Sequence, residues 1–148
     1  MKRGYTLIEV AVMLLVLALT AGVIVPAAGR VADTVRIRAQ VSGVAAFLRS
    51  AREQAVTRKR TFSVQLDPGA HALVLRGAGD DGAGPMAARS LPPDVQVVAD
   101  PPAAALITFY PHGLSSGGRL RIEAPGPRVY IVTVDVLTGR VRTERDAL

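Results

Sequence analysis

Some stretches of the chain carry reactive residue types at recognisable spacings. Gly113-Leu114-Ser115-Ser116-Gly117 has the G-x-S-x-G form of a nucleophile elbow, where a serine on a strand-to-helix turn is activated by a histidine later in the chain. Both histidines, His71 and His112, precede Ser115, and a strand pattern follows, so a turn joining two strands is the better reading. Gly77-Ala78-Gly79-Asp80-Asp81-Gly82 has the G-x-G-x-x-G form of dinucleotide binding, which requires the loop to open a helix facing the pyrophosphate. No helical period follows, and two aspartates repel phosphate. The stretch reads as a loop, with Asp80 or Asp81 offering at most a Ca²⁺ contact. Without cysteine there is no disulfide scaffold and no thiolate metal or redox site. The sequence therefore points to no catalytic residue, no resident metal and no cofactor.

Two other features keep chemical interest. Gly139-Arg140-Val141-Arg142 is followed by Arg145. If 139–143 is a strand, Arg140 and Arg142 share a face, with Arg145 close behind, and three cations on one rim suit successive phosphates. The same Thr138-Gly139-Arg140 also fits a hairpin turn whose glycine takes a positive φ. The formal net charge of +6 is otherwise spread along the chain and describes a solvated surface. The second feature is Glu9, a carboxylate inside an almost purely apolar run. Insertion of an acidic residue at a helix centre costs about 2.5–3.5 kcal/mol, less near an end, so Glu9 needs a partner. A chain cut between Gly4 and Tyr5 would place a new α-amine four residues before Glu9, on one helical face. The carboxylate then neutralises its own terminus and the helix dipole, or pairs with the amine of a neighbouring subunit as a register device.

The elements that position these residues follow from periodicity. The chain of 148 residues is one domain's worth, enough for a single core. Residues 5–25 offer about the 20 residues that span a bilayer. The run passes through Val25-Pro26 into a second helical pattern, which argues against removal after the apolar stretch. Lys2 and Arg3 precede the span and place the N-terminus in the cytoplasm and the rest outside. Pro26 predicts a bend. Beyond it Val31, Val35, Val41, Val44, Ala45, Leu48 and Ala55 recur at helical spacing until Arg58-Lys59-Arg60, whose cations suit a helix C-terminus. Alternating strands follow at 61–66 and 71–76, around an Asp67-Pro68-Gly69-Ala70 turn, and then at 95–98, 106–110, 119–123, 129–136 and 139–143. A long N-terminal helix packed on antiparallel sheet is an α+β fold.

The basic leader, Gly4, aromatic Tyr5, Thr6-Leu7-Ile8-Glu9 and the long apolar helix together resemble the class III prepilin signal of type IV pilins and type II secretion pseudopilins. The resemblance implies cleavage by a prepilin peptidase between Gly4 and Tyr5, N-methylation of Tyr5, and a role for Glu9 in filament assembly. Tyr5 stands where phenylalanine is usual. Phe109-Tyr110-Pro111-His112-Gly113-Leu114-Ser115-Ser116-Gly117-Gly118 and Val134-Asp135-Val136-Leu137-Thr138-Gly139-Arg140-Val141 are similar to the C-terminal half of the GspH/FimT pseudopilin family.

That likeness implies a pilin-like fold divided into a leader at 1–4, a transmembrane and filament-core helix at 5–27 and a periplasmic domain at 28–148. It implies a structural subunit rather than an enzyme, anchored in the bacterial inner membrane and then carried in a pseudopilus. The partners implied are other major and minor pseudopilins, the prepilin peptidase and the inner-membrane assembly platform. The family divides between minor pseudopilins of type II secretion and minor type IV pilins associated with DNA uptake in natural transformation. DNA-binding members use a C-terminal Gly-Arg-x-Arg, matched here by Gly139-Arg140-Val141-Arg142, so Arg140, Arg142 and Arg145 are the candidates for nucleic acid. The secretion pseudopilin is the favoured reading, because the cationic patch is modest and Lys2 and Arg3 leave with the leader.

Overall fold

A computed structural model describes residues 6–79, 84–125 and 128–146, with the side chains of 22–33 also outside the description. The expected cleavage and methylation residues Gly4 and Tyr5 therefore lie outside the described residues, as do Asp80, Asp81 and Gly82.

The chain begins with one helix, α1, Leu7–Arg58. Thr6 opens it: the Glu9 N–H donates to the Thr6 carbonyl at 3.1 Å and to its hydroxyl at 3.4 Å. Thr6-Leu7-Ile8-Glu9 thus has the order of a capping box, with a threonine cap and an acidic residue at the third helical position. The helical backbone continues through Pro26. It stops in an αL turn. Lys59 has φ of 50°, and the Arg60 N–H reaches back to the Ala55 carbonyl at 3.2 Å, the long bond of a Schellman motif.

The chain divides into two compact units, Met1–Arg38 and Ala39–Leu148. In the first, Leu7, Leu14, Leu15, Leu17 and Leu19 are all at least 61% exposed and lie on several sides of the helix. The one hydroxyl in this stretch satisfies itself, for Thr20 Oγ1 donates to the Val16 and Leu17 carbonyls at 3.0 and 2.9 Å. Among the described residues no helix is long and apolar enough to cross a membrane. The expected span at 5–27 begins at Tyr5, outside the described residues, and its side chains from 22 onward are outside the description as well.

In the second unit the helix carries a buried stripe of Val41, Val44, Ala45, Leu48, Ala51 and Ala55. Val35, expected on that stripe, is exposed. Six residues before Val41 is about one and two-thirds turns, which puts its side chain roughly 120° off the line.

Eight strands follow: β1 Phe62–Asp67, β2 Ala72–Gly77, β3 Ala87–Ser90, β4 Gln96–Asp100, β5 Leu106–Phe109, β6 Gly118–Ala124, β7 Arg128–Val134 and β8 Val141–Asp146. They form two antiparallel sheets of four, ordered β3-β2-β1-β5 and β4-β6-β7-β8. Their inner faces read with period two: Phe62, Val64 and Leu66 face the core from β1, Leu120, Ile122 and Ala124 from β6, Tyr130, Val132 and Val134 from β7. The β1–β2 hairpin turns as expected. Asp67 Oδ1 accepts from the Gly69 and Ala70 N–H groups at 2.9 and 3.0 Å, and His71, with φ of 46°, is a turn residue.

Two elements are additional to those expected from the sequence. The segment after Gly79 contains β3, and a 3-10 helix, Pro102–Ala105, precedes β5. β3 is bound to the helix through Arg89, whose guanidinium occupies the space a side chain at Gly43 would take and donates to Gln40 Oε1 at 3.4 Å. β8 also begins at Val141 rather than at 139, which moves Arg140 out of the strand.

Candidate functional site

The sequence draws attention to the β7–β8 connection, and the fold builds it as a braced turn. Asp135 Oδ1 accepts from both the backbone N–H and the hydroxyl of Thr138, each at 2.8 Å. These two bonds hold the Asp135 carboxyl below its ordinary value of 3.8, and the nearby Arg142 guanidinium adds a smaller pull in the same direction. The Asp135 N–H donates to the Arg140 carbonyl at 3.0 Å and the Gly139 N–H to the Asp135 carbonyl at 2.9 Å, which closes the turn. Gly139 sits at φ of +59°, and a Cβ there would come within 2.6 Å of the Gly113 carbonyl oxygen.

Two loops are thereby locked together. Ser115, buried within the G-x-S-x-G stretch, donates its hydroxyl to the Asp135 carbonyl at 2.9 Å and accepts the Gly117 N–H at 3.0 Å. Its backbone N–H donates to the Val136 carbonyl at 2.9 Å. The hydroxyl is a latch between strands' ends, a structural role that accounts for a serine at the centre of the G-x-S-x-G stretch. From the helix, Arg52 Nε donates to the Thr138 carbonyl at 2.9 Å, and Arg49 reaches the Val141 carbonyl at 3.4 Å.

Between this turn and the last turns of α1 lies a groove of about 600 Å³. Arg49, Arg52, Glu53, Val56 and Thr57 line it from the helix, and Gly139, Arg140, Val141 and Arg142 from the turn and β8. Arg140 and Arg142 are therefore brought together, as the sequence suggests, but not on one strand face. Arg140 belongs to the turn, and Arg142 and Arg145, three apart on β8, point to opposite faces of the sheet. The expected rim of three cations does not form. Arg49 and Arg52, which the sequence does not single out by motif, complete the groove; their three-residue spacing on one helical face was the available signal.

Glu9 is exposed in the first turn of α1, placed to complement the helix dipole. Among the described residues no group of three or more His, Asp or Glu side chains is arranged to hold a metal ion.

Residues 40–138 match the family described as type II transport protein GspH. The match ends one residue before Gly139. No curated protein sequence matches the chain. Among solved structures, the type IV minor pilin FimU of Pseudomonas aeruginosa superposes with a TM-score of 0.63 at 18% identity, over 76% of this chain and 90% of that one. The minor pseudopilin EpsH from the type 2 secretion system of Vibrio cholerae gives 0.59 at 17% identity, over 73% and 95%. At such identities the likeness is one of fold, and the fold is that of pilin-like structural subunits.

Proposed function

The chain belongs to the type II transport protein GspH family, and from that premise we propose that it is a minor pseudopilin of a type II secretion system, a structural subunit of the periplasmic pseudopilus. The observation that carries the proposal is the start of α1. Its leucines are exposed on several sides, and a helix of that kind is covered in its working state by lipid or by other helices. The prepilin signal supplies both coverings in turn. The helix is inserted in the inner membrane with Lys2 and Arg3 cytoplasmic, the chain is cut between Gly4 and Tyr5, Tyr5 is N-methylated, and the helix then packs among other major and minor pseudopilins on the assembly platform. Glu9 pairs with the Tyr5 amine of a neighbour during that packing.

Mass spectrometry of protein extracted from membranes of cells containing a prepilin peptidase tests this directly. An N-methylated Tyr5 terminus is expected, and Gly4→Leu should retain the leader. Glu9→Val should be processed and held in the membrane normally, yet lose crosslinks to partner pseudopilins. An intact Met1 terminus refutes the class, and unchanged crosslinking of Glu9→Val refutes the pairing role.

One observation favours a second reading, a minor type IV pilin that binds DNA for uptake: Arg140 and Arg142 are exposed and converge on one groove. The absence of a continuous cationic rim with Arg145 supports the secretion reading instead. A mobility-shift titration of the full chain in nonionic detergent separates them. Salt-sensitive duplex binding that is lost in the Arg140→Gln, Arg142→Gln double variant would favour uptake, and no binding at low salt would favour secretion.

A further inference from the structure

β8 is the last strand of its sheet. β7 pairs with it along its whole length, and among the described residues no strand pairs with its other edge. The register fixes where its backbone groups point. The Asp135 N–H donates to the Arg140 carbonyl at 3.0 Å, so those opposed residues form a hydrogen-bonded pair. The alternation of an antiparallel ladder then turns the N–H and C=O of Val141, Thr143 and Arg145 away from β7. Arg49 of the helix reaches the Val141 carbonyl at 3.4 Å, as that direction requires. The outward groups of Thr143 and Arg145 have no backbone partner among the described residues. The side chains along this edge are uncovered too. Thr143 lies opposite Val132 and Arg145 opposite Tyr130, so both share the core-facing side of the sheet. Val132 and Tyr130 are buried, yet Thr143 and Arg145 are exposed. Cover on this side therefore ends between β7 and the outer part of β8. Alongside the start of β8, Arg49, Arg52, Glu53 and Val56 form one flank of α1 over the open groove, with Val56 42% exposed.

We propose that an extended segment of another protein chain adds to β8 as a further antiparallel strand, with an acidic side chain opposite Arg145 and an aliphatic one beside Val141 and Val56. Main-chain bonds to Thr143 and Arg145 hold the segment, and the side chains select it. Antiparallel is the sense of every other pair in both sheets. Arg145 is what makes the edge selective. A charge on the core-facing side keeps an edge strand from pairing indiscriminately, because an incoming apolar residue desolvates it and an incoming cation repels it. A carboxylate at that position pairs with the guanidinium instead. A second copy of β8 fits less well, since antiparallel pairing centred on Thr143 sets Arg145 across from Val141 rather than from an acid. The strand edge and its charge carry this inference, and it stands apart from the pseudopilin reading.

The test uses the full chain in nonionic detergent, with micelles alone as the blank, and a fluorescent, end-capped peptide reading glutamate, serine, valine, serine, leucine. In the proposed register the amides of glutamate, valine and leucine face β8, and those of the serines face away. Anisotropy titrations at low salt should show this peptide binding at least about tenfold tighter than its counterpart with lysine for glutamate. N-methylation of the valine amide should abolish binding, and N-methylation of the serine that follows it should not. Arg145→Glu should reverse the preference, so that the lysine peptide binds tighter. Thr143→Pro removes an edge N–H that β7 does not use, and should lose binding while its calorimetric melt shows a folded domain. Should that variant not fold, the two N-methylated peptides and Arg145→Glu still decide. No binding of the glutamate peptide, equal binding of the two N-methylated peptides, or an unchanged preference in Arg145→Glu would overturn the proposal. Self-association of the chain that Thr143→Pro abolishes, without peptide binding, would overturn it in favour of a second copy. None of these measurements requires filament assembly, so their failure is separable from failure of the pseudopilin reading, which the N-terminal mass and the Glu9→Val crosslinks decide.

Discussion

Gly139→Ala is the substitution whose effect the structure fixes most tightly. Gly139 has φ of +59°, and holding an L-residue in the left-handed region costs roughly 1–2 kcal/mol. The new Cβ would also stand 2.6 Å from the Gly113 carbonyl oxygen, 2.9 Å from Arg52 Nε and 3.0 Å from Arg52 Cδ. The carbonyl belongs to the backbone and yields little, so Arg52 must move and its bond to Thr138 is lost. A charged donor's hydrogen bond contributes about 1.5–3 kcal/mol, and the lower end applies because Arg52 is only half-buried. The sum is about 3 kcal/mol. Gly79→Ala provides the comparison, because Gly79 has φ of +86° but no described atom within 4 Å of its would-be Cβ. It should cost about 1 kcal/mol, the conformational part alone. At about 2–4 °C per kcal/mol for a chain of this size, calorimetry of the full chain in nonionic detergent should show Gly139→Ala melting about 6–12 °C lower and Gly79→Ala about 2–4 °C lower. Equal shifts would refute the packing of Gly139 against Gly113 and Arg52.

The other predictions concern the same braced turn. Ser115→Ala removes a buried hydroxyl that both donates to Asp135 and accepts from Gly117, stranding a buried N–H; a loss of about 1–3 kcal/mol is expected in a denaturant titration, and a neutral result would contradict the latch. Because the folded pKa of Asp135 is depressed, its contribution to stability is complete above the ordinary value of 3.8 and is lost as pH falls through the lower folded value. Melting temperature should therefore drop on acidification below that value more steeply in the wild type than in Asp135→Asn, and parallel pH profiles would show that the Thr138 bonds do not stabilise the charged form.

Much of the fold was legible because its signals are local. The stripe from Val41 to Ala55 has the period of a helix, and Asp67-Pro68-Gly69-Ala70 is a turn by composition, so α1 and the first hairpin follow from the chain alone. The period also exposes its own error at Val35, which lies off the line that the buried residues define. β3 was not legible, because Ala87-Ala88-Arg89-Ser90 has neither β-branched residues nor an apolar alternation; it is a strand because it pairs with β2 at an edge and because Arg89 finds a notch at Gly43. The division into two sheets was equally hidden, since strand order is set by pairings between residues far apart in the chain.

The site was half legible, and the missing half changes what its motif means. Asp135-Val136-Leu137-Thr138-Gly139 already spells a turn, with an aspartate whose carboxylate can accept from Thr138 and a glycine suited to positive φ. Extending β8 back to Gly139 put Arg140 on a strand face that begins only at Val141. The turn requires the glycine of Gly-Arg-x-Arg whatever the arginines do, because a Cβ at Gly139 meets Gly113 and Arg52 with no ligand present. A defect in Gly139→Ala would therefore report the brace, whereas the Arg140 side chain can be changed with the brace in place, and the Arg142 side chain with only its smaller pull on Asp135 lost. That leaves the side chains of Arg140 and Arg142 as the part of the motif open to the roles proposed above, and the groove they line with Arg49 and Arg52 depends on packing of the helix against the last hairpin, which no stretch of four residues can encode.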